Sequence, residues 1–245
     1  MTNTSSKMSW TLTFFTLYTL TIAAQLANVA YQAIQKNESF ASLLLPSLIF
    51  LSVLTIPSIY VGLKLGKQMD LGLVNIPENS TNSLKDGVYF ALISSILLGI
   101  TLLALRWLLL PYLPANIPEY GFRGPIGGLL VSIGAAFGEE IWFRFGLMTL
   151  LLWGLTNLLN QTKPSLKIGV SVIFIVAVGF GIAHLPQLAS FDADSPFAIW
   201  ATILGNIATG SLFGWCFWRY GLVSAISAHL GVDIVLHVLP AFFTT

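Results

Sequence analysis

Charge is scarce in this sequence: Asp, Glu, Lys and Arg make up 9% of its 245 residues, against roughly 25% in an ordinary soluble domain. That composition excludes a soluble globular enzyme of ordinary design. A net charge of +1 supplies no field that would draw nucleic acid or an acidic partner. Cysteine occurs once, at Cys216, so an intramolecular disulfide is excluded, and no base lies near it in sequence to activate the thiol. Two catalytic signatures are also absent. No Gly-x-Ser-x-Gly turn presents a serine nucleophile, and no His-Glu-x-x-His pair sets zinc ligands on one helix face. Without repeats, low-complexity tracts or a composition break, residues 1–245 read as a single integral membrane domain.

What the chain has in abundance is apolar sequence, 56% of all residues. A helix needs about 20 mostly apolar residues to cross the hydrocarbon core. Runs of that length fall at about 8–34, 42–66, 86–112, 125–156, 167–186, 196–218 and 221–239. The expected fold is all-α: a polytopic transmembrane helical bundle of about seven spans, within a range of six to eight, around a polar intramembrane cavity. The fourth run is long enough to be tilted, kinked or split. The first is too long for a signal-peptide core, lacks a small-residue cleavage site, and reads as retained. The polar connection at 67–85, with Leu71, Leu73, Val74 and Ile76, reads as lying partly on the membrane surface. The sequon Asn79-Ser80-Thr81 falls in it on the expected cytoplasmic side and carries little weight. Gly134-x-x-x-Gly138 and Gly210-x-x-x-Gly214 offer small faces for close helix packing.

With seven alternating spans, one side of the membrane holds Lys7, Lys64, Lys67, Lys85, Lys163, Lys167 and Arg219. The other holds Lys36 and Arg123, with Arg106 near its boundary. The positive-inside rule then puts the N-terminus in the cytoplasm and the C-terminus outside.

The few remaining charges sit where they are costly. Glu139, Glu140 and Arg144 interrupt the fourth apolar run, His184 ends the fifth, and His229, Asp233 and His237 lie in the seventh. An ionised side chain at bilayer depth costs roughly 2.5–3.5 kcal/mol on insertion scales, so such residues face the protein interior and mark functional sites. Residues four apart share a helix face, which sets Glu140 against Arg144 and turns Glu139 about 100° away. Two neighbouring acids in different environments can divide a structural role from that of a catalytic base. His229, Asp233 and His237, spaced i, i+4, i+8, form one slowly drifting stripe, with His237 closest to the exit of the span. A Glu, a His and a second His from three spans suit hydrolysis: a carboxylate takes a proton from water, and imidazoles donate to the oxyanion. The same Glu139, His184 and His229 are candidate zinc ligands. A buried ion pair for Glu140 and Arg144, and a carbonyl-bonded His184, are the plain structural alternatives.

Glu139-Glu140-x-x-x-Arg144, Phe180-x-x-x-His184 and His229-x-x-x-Asp233, in this order on successive apolar segments, resemble the three signatures of the CPBP family. That family unites type II CAAX prenyl endopeptidases with bacteriocin-processing and immunity proteins. The resemblance covers a core at 125–240, and Leu71-Gly72-Leu73 looks like the connecting segment of the family. It implies that Glu139 activates water with help from His184, that His229 and Asp233 stabilise the oxyanion, and that Glu140 and Arg144 organise the site. Asp233 stands where the family often has Asn. Relatives have been described both as glutamate-dependent and as metalloproteases, so zinc is the cofactor the resemblance leaves open. The resemblance also implies a further helix after the last motif as a closing wall of the cavity, whereas the given sequence runs to Thr245. The implied partners are the lipid bilayer and a hydrophobic or lipid-modified peptide or protein substrate, and not nucleic acid. A non-catalytic immunity or scaffold protein binding a hydrophobic peptide, and a transporter using the charges as an ion relay, are the alternatives. The lack of paired repeats with broken helices disfavours the transporter.

Overall fold

In the computed structural model, residues 10–75 and 83–243 are described. Among them, seven helical spans are long and apolar enough to cross a membrane: α1 (Trp10–Gln35), α2 (Phe40–Met69), α3 (Leu84–Tyr112), α4 (Gly124–Leu158), α5 (Leu166–Ala189), α6 (Pro196–Tyr220) and α7 (Leu222–Phe242). No strand occurs among the described residues. The expected runs and these spans agree to within a few residues. The sequon at 79–81 and Lys7, Ile76 and the start of the first expected run lie outside the described residues.

The bundle is dressed for lipid. Ile49, Phe50 and Val53 on α2 and Ile93, Leu97 and Ile100 on α3 point outward, whereas Glu140 and Arg144 are completely enclosed. In lipid, apolar burial supplies little of the association free energy, so close backbone approach and interhelical polar contacts must supply it. The expected small faces are used this way. Gly210 and Gly214 pack against Ala177 and Ile173 of α5, and Gln25 of α1 donates to the Gly134 carbonyl at 2.8 Å. The main packing partners are α4 with α7, α5 with α6, α3 with α7, α2 with α4, α1 with α4, α1 with α2 and α6 with α7.

Two spans depart from α-helical geometry at the motifs. α4 is α-helical over Gly124–Glu139, π-helical over Glu140–Met148 and α-helical again over Thr149–Leu158. α7 is α-helical over Leu222–Asp233 and π-helical over Ile234–Val238. Each π segment begins directly after a motif acid. Such wide turns are rare and occur frequently at functional sites. The long fourth run is therefore not split into two spans but locally rewound.

The connection after α2 packs against protein in its described part. Leu71 and Asn75 are buried. Asn75 donates through Nδ2 to the carbonyls of Phe217 and Trp218 at 2.8 and 3.1 Å, while Leu222 N and Val223 N donate to the Gly72 and Leu73 carbonyls. The strap thus clamps the α6–α7 turn. Gly221 at that turn has φ +101°, and a Cβ there would sit 2.7 Å from the Leu73 carbonyl oxygen, so glycine is required.

Candidate active site

Each motif supplies one wall of a single site. α4 carries Glu139, Glu140 and Arg144, the end of α5 carries Phe180 and His184, and α7 carries His229 and Asp233. The helix ladder breaks at His184, where Pro186 opens the next short turn.

Glu140 is the centre of a buried network. Its Oε1 lies 3.0 Å from Arg144 Nη1 and accepts from His229 Nδ1 at 2.8 Å. Arg144 also donates through Nη2 to the Gly210 carbonyl at 3.2 Å. Its guanidinium carbon lies 4.5 Å from the Phe180 ring, 5.3 Å from Phe213 and 5.9 Å from Phe143. Aromatic faces add attraction for a desolvated cation, so this arginine sits among an anion, a carbonyl and three rings.

His229 is held as firmly. Its ring stacks on Phe213 at 4.4 Å and 15° and meets the edge of Phe180 at 6.1 Å. A carboxylate can only accept, so the 2.8 Å bond to Glu140 places a proton on Nδ1. That leaves Nε2 facing Glu139 Oε2 at 3.8 Å and Asp233 Oδ2 at 3.7 Å. One imidazole is therefore surrounded by three carboxylates.

The two adjacent glutamates differ sharply. The Glu140 side chain has no exposed surface, whereas that of Glu139 is 23% exposed. Glu139 lines a cavity of about 570 Å³ together with His184, His229, Asp233 and His237. Its Oε2 has no hydrogen-bond partner among the described residues. His184 donates through Nδ1 to the Phe180 carbonyl at 2.8 Å, the plain contact open to it from sequence, and its Nε2 remains available. His237 also lines the cavity, with its ring 5.9 Å from Tyr120.

The rest of the cavity wall is largely apolar, with Leu102, Leu105, Leu109, Leu113, Ile117 and Leu236 among its residues. The expected polar cavity is thus a polar floor under apolar walls. Arg106, Tyr120 and Arg123 join the wall toward the α3–α4 connection. Burial pushes the Tyr120 hydroxyl up from its ordinary pKa, with Arg106 opposing, so it stays neutral. Burial lowers the Arg123 guanidinium from its ordinary value.

Among the described residues, no three His, Cys, Asp or Glu side chains are grouped as metal ligands would be.

Sequence reasoning missed Phe213 and the second role of Phe180. Neither is charged, and an aromatic within an apolar span carries no signal of its own. The two sit under His229 and Arg144 only because α5 and α6 pack side by side.

The arrangement defines a class: a polytopic helical membrane protein with a buried acid–histidine centre opening into an apolar-walled cavity. The family model described as Type II CAAX prenyl endopeptidase Rce1-like matches residues 121–235, a stretch that contains every motif residue of the site. The match supports membership of the CPBP family, and that family implies an intramembrane protease. No curated protein and no solved structure matches the chain.

Proposed function

We propose that this protein is an intramembrane endopeptidase that hydrolyses a peptide bond in a hydrophobic, lipid-modified CAAX-type or bacteriocin-like peptide, using water activated by Glu139. The observation that carries the reading is the division between the two glutamates: Glu140 is sealed in an ion pair, and Glu139 alone meets the cavity.

Glu139 takes a proton from water as its oxygen attacks the scissile carbonyl carbon. The oxyanion accepts from His229 Nε2–H, the imidazole being doubly protonated in this step. Asp233, 3.7 Å away, orients that ring and balances its charge. This gives an ionised Asp a role where direct donation to an oxyanion is closed to it. Glu139 then delivers its proton to the leaving nitrogen as the C–N bond breaks. Glu140 fixes His229 from behind, Arg144 neutralises Glu140, and His184 offers Nε2 to position the water. No step runs through zinc. The apolar wall suits a hydrophobic tail, because burying apolar side chains against it leaves no polar group unpaired. Lys64, Lys67, Lys85, Lys163 and Lys167, gathered on one side, favour a cytoplasmic N-terminus.

The test is turnover of a fluorogenic hydrophobic peptide by purified protein in detergent, alongside a comparison of peptide termini in host membranes carrying the intact or Glu139→Gln protein. The amide keeps the shape but cannot act as a base, so turnover should fall by about 10²–10⁴ with an unchanged melting profile. Near wild-type turnover by this variant would refute the assignment. Unchanged termini and no cleavage by either protein would favour a binding role without catalysis.

A further inference from the structure

Two cations in the cavity wall are left over from the chemistry at its floor. Arg106 lies in the last turns of α3 and Arg123 directly before α4, and both line the cavity with Tyr120 of the connection between them. Arg106 donates through Nη2 to the Pro118 carbonyl at 3.0 Å, and its guanidinium carbon lies 5.4 Å from the Tyr120 ring. Arg123 stacks on Phe122 at 4.2 Å. Neither arginine forms an ion pair among the described residues, although Glu119 shares the same wall. A guanidinium carries five N–H donors, so most of those on the two residues are uncommitted. The Tyr120 hydroxyl, kept neutral by burial, is a further donor. A cation against apolar surface is costly unless an anion meets it.

These donors are held in place. Tyr31 of α1 donates to the Arg123 carbonyl at 2.7 Å. Gly121, at φ +81°, presses on the backbone of Ala241, where any Cβ would collide. The Tyr120 ring meets that of His237 at 5.9 Å, on the helix that also carries His229 and Asp233. The rim of the cavity is thus fixed to the element that builds its floor. Between the two runs the apolar wall of Leu102, Leu105, Leu109 and Leu236. The rise of α4 sets Arg123 about 24 Å from Glu139 along the axis, and both side chains line the space between. At about 570 Å³ the cavity falls within the ~300–1,000 Å³ of pockets that enclose a drug-sized ligand, which is room for a few residues of chain. A chain that ends there presents a carboxylate to the arginines. A chain that runs on presents only an uncharged amide.

We propose that Arg106, Arg123 and Tyr120 form an anion subsite that takes the C-terminal carboxylate of a peptide whose apolar residues lie along the cavity toward Glu139. The guanidinium fork matches a carboxylate with two parallel hydrogen bonds. The two arginines are then specificity-determining residues: they select a chain end and fix how far from it the water at Glu139 attacks. That the ligand is a peptide rests on the endopeptidase reading; the preference for a terminal carboxylate is measured without turnover.

The probe is a fluorophore-labelled peptide of Leu, Val and Ala residues, made as the free acid, as the C-terminal amide, and as an amide with Glu in last place. Binding to Glu139→Gln protein is followed by anisotropy in nanodiscs of zwitterionic lipid. The acid should bind at least about tenfold more tightly than the plain amide. Arg106→Gln combined with Arg123→Gln should bring the acid down to the amide and leave the amide unchanged. Equal binding of acid and amide by the parent, a preference that survives in the double variant, or a Glu-ended amide that binds as tightly as the acid would overturn the proposal. So would loss of the advantage of the acid when phosphatidylglycerol replaces the zwitterionic lipid, which would assign the arginines to a lipid phosphate. If the double variant does not accumulate, Arg106→Lys and Arg123→Lys keep the charge and lose the fork; each should narrow the gap, and a gap unchanged in both overturns the subsite. A preference for the acid alongside full turnover by Glu139→Gln protein would sink the endopeptidase reading alone. Turnover that needs Glu139, without that preference, would sink the subsite alone.

Discussion

Arg144→Ala removes one partner from a pair with no exposed surface on either side. The Glu140 carboxylate would keep its bond from His229 but lose the cation 3.0 Å away. The Gly210 carbonyl would lose its donor at 3.2 Å, and three rings would lose the guanidinium between them. Breaking a buried pair by deleting one member costs roughly 3–5 kcal/mol, because the other charge stays buried and uncompensated. For a chain of 150–250 residues, each kcal/mol moves the melting point by about 2–4 °C, so the expected fall is about 6–20 °C. The assay is tryptophan-fluorescence melting in one detergent, on protein purified in parallel with wild type. Glu140→Gln combined with Arg144→Met supplies the control. With both charges gone no buried ion is left unpaired, so melting should return most of the way to wild type. Turnover should not recover, since His229 loses its ionic partner. If the single variant melts within about 2–4 °C of wild type, equivalent to about 1 kcal/mol, the pair is not dry and the reasoning fails. It fails equally if the double variant falls as far as the single.

Gly210→Ala places a Cβ 3.2 Å from Ala177 and 3.3 Å from Arg144 Nη2; overpacking of this kind costs about 1–3 kcal/mol, and a variant as stable as wild type would show that α5 and α6 have slack there. Chelation of protein purified without a histidine tag should leave turnover intact. Stoichiometric zinc, whose removal abolishes turnover and whose return restores it, would overturn the metal-free mechanism. His237→Ala should change turnover and metal content little, because its ring packs by Tyr120 and no step uses it; a loss of bound metal would make His237 a ligand.

The sequence by itself determined the class of fold and the identity of the polar residues. Seven apolar runs long enough to cross a bilayer leave helices as the only spanning form without a closed barrel. Charged groups within those runs are costly enough to single out Glu139, Glu140, Arg144, His184, His229 and Asp233 without reference to shape. The pairing of Glu140 with Arg144 was legible as well, since four residues bring side chains together on one helix. Only the tertiary structure decided how the three motifs meet. The Glu140–His229 bond joins residues 89 apart in sequence, and nothing within either helix specifies that neighbour. The π segments at 140–148 and 234–238 depend on what packs around those turns. So do the ring cage around Arg144 and the clamp of Asn75 on the α6–α7 turn. Local periodicity reports which face of a helix is buried, and the partner across that face is set by how the helices are arranged against one another.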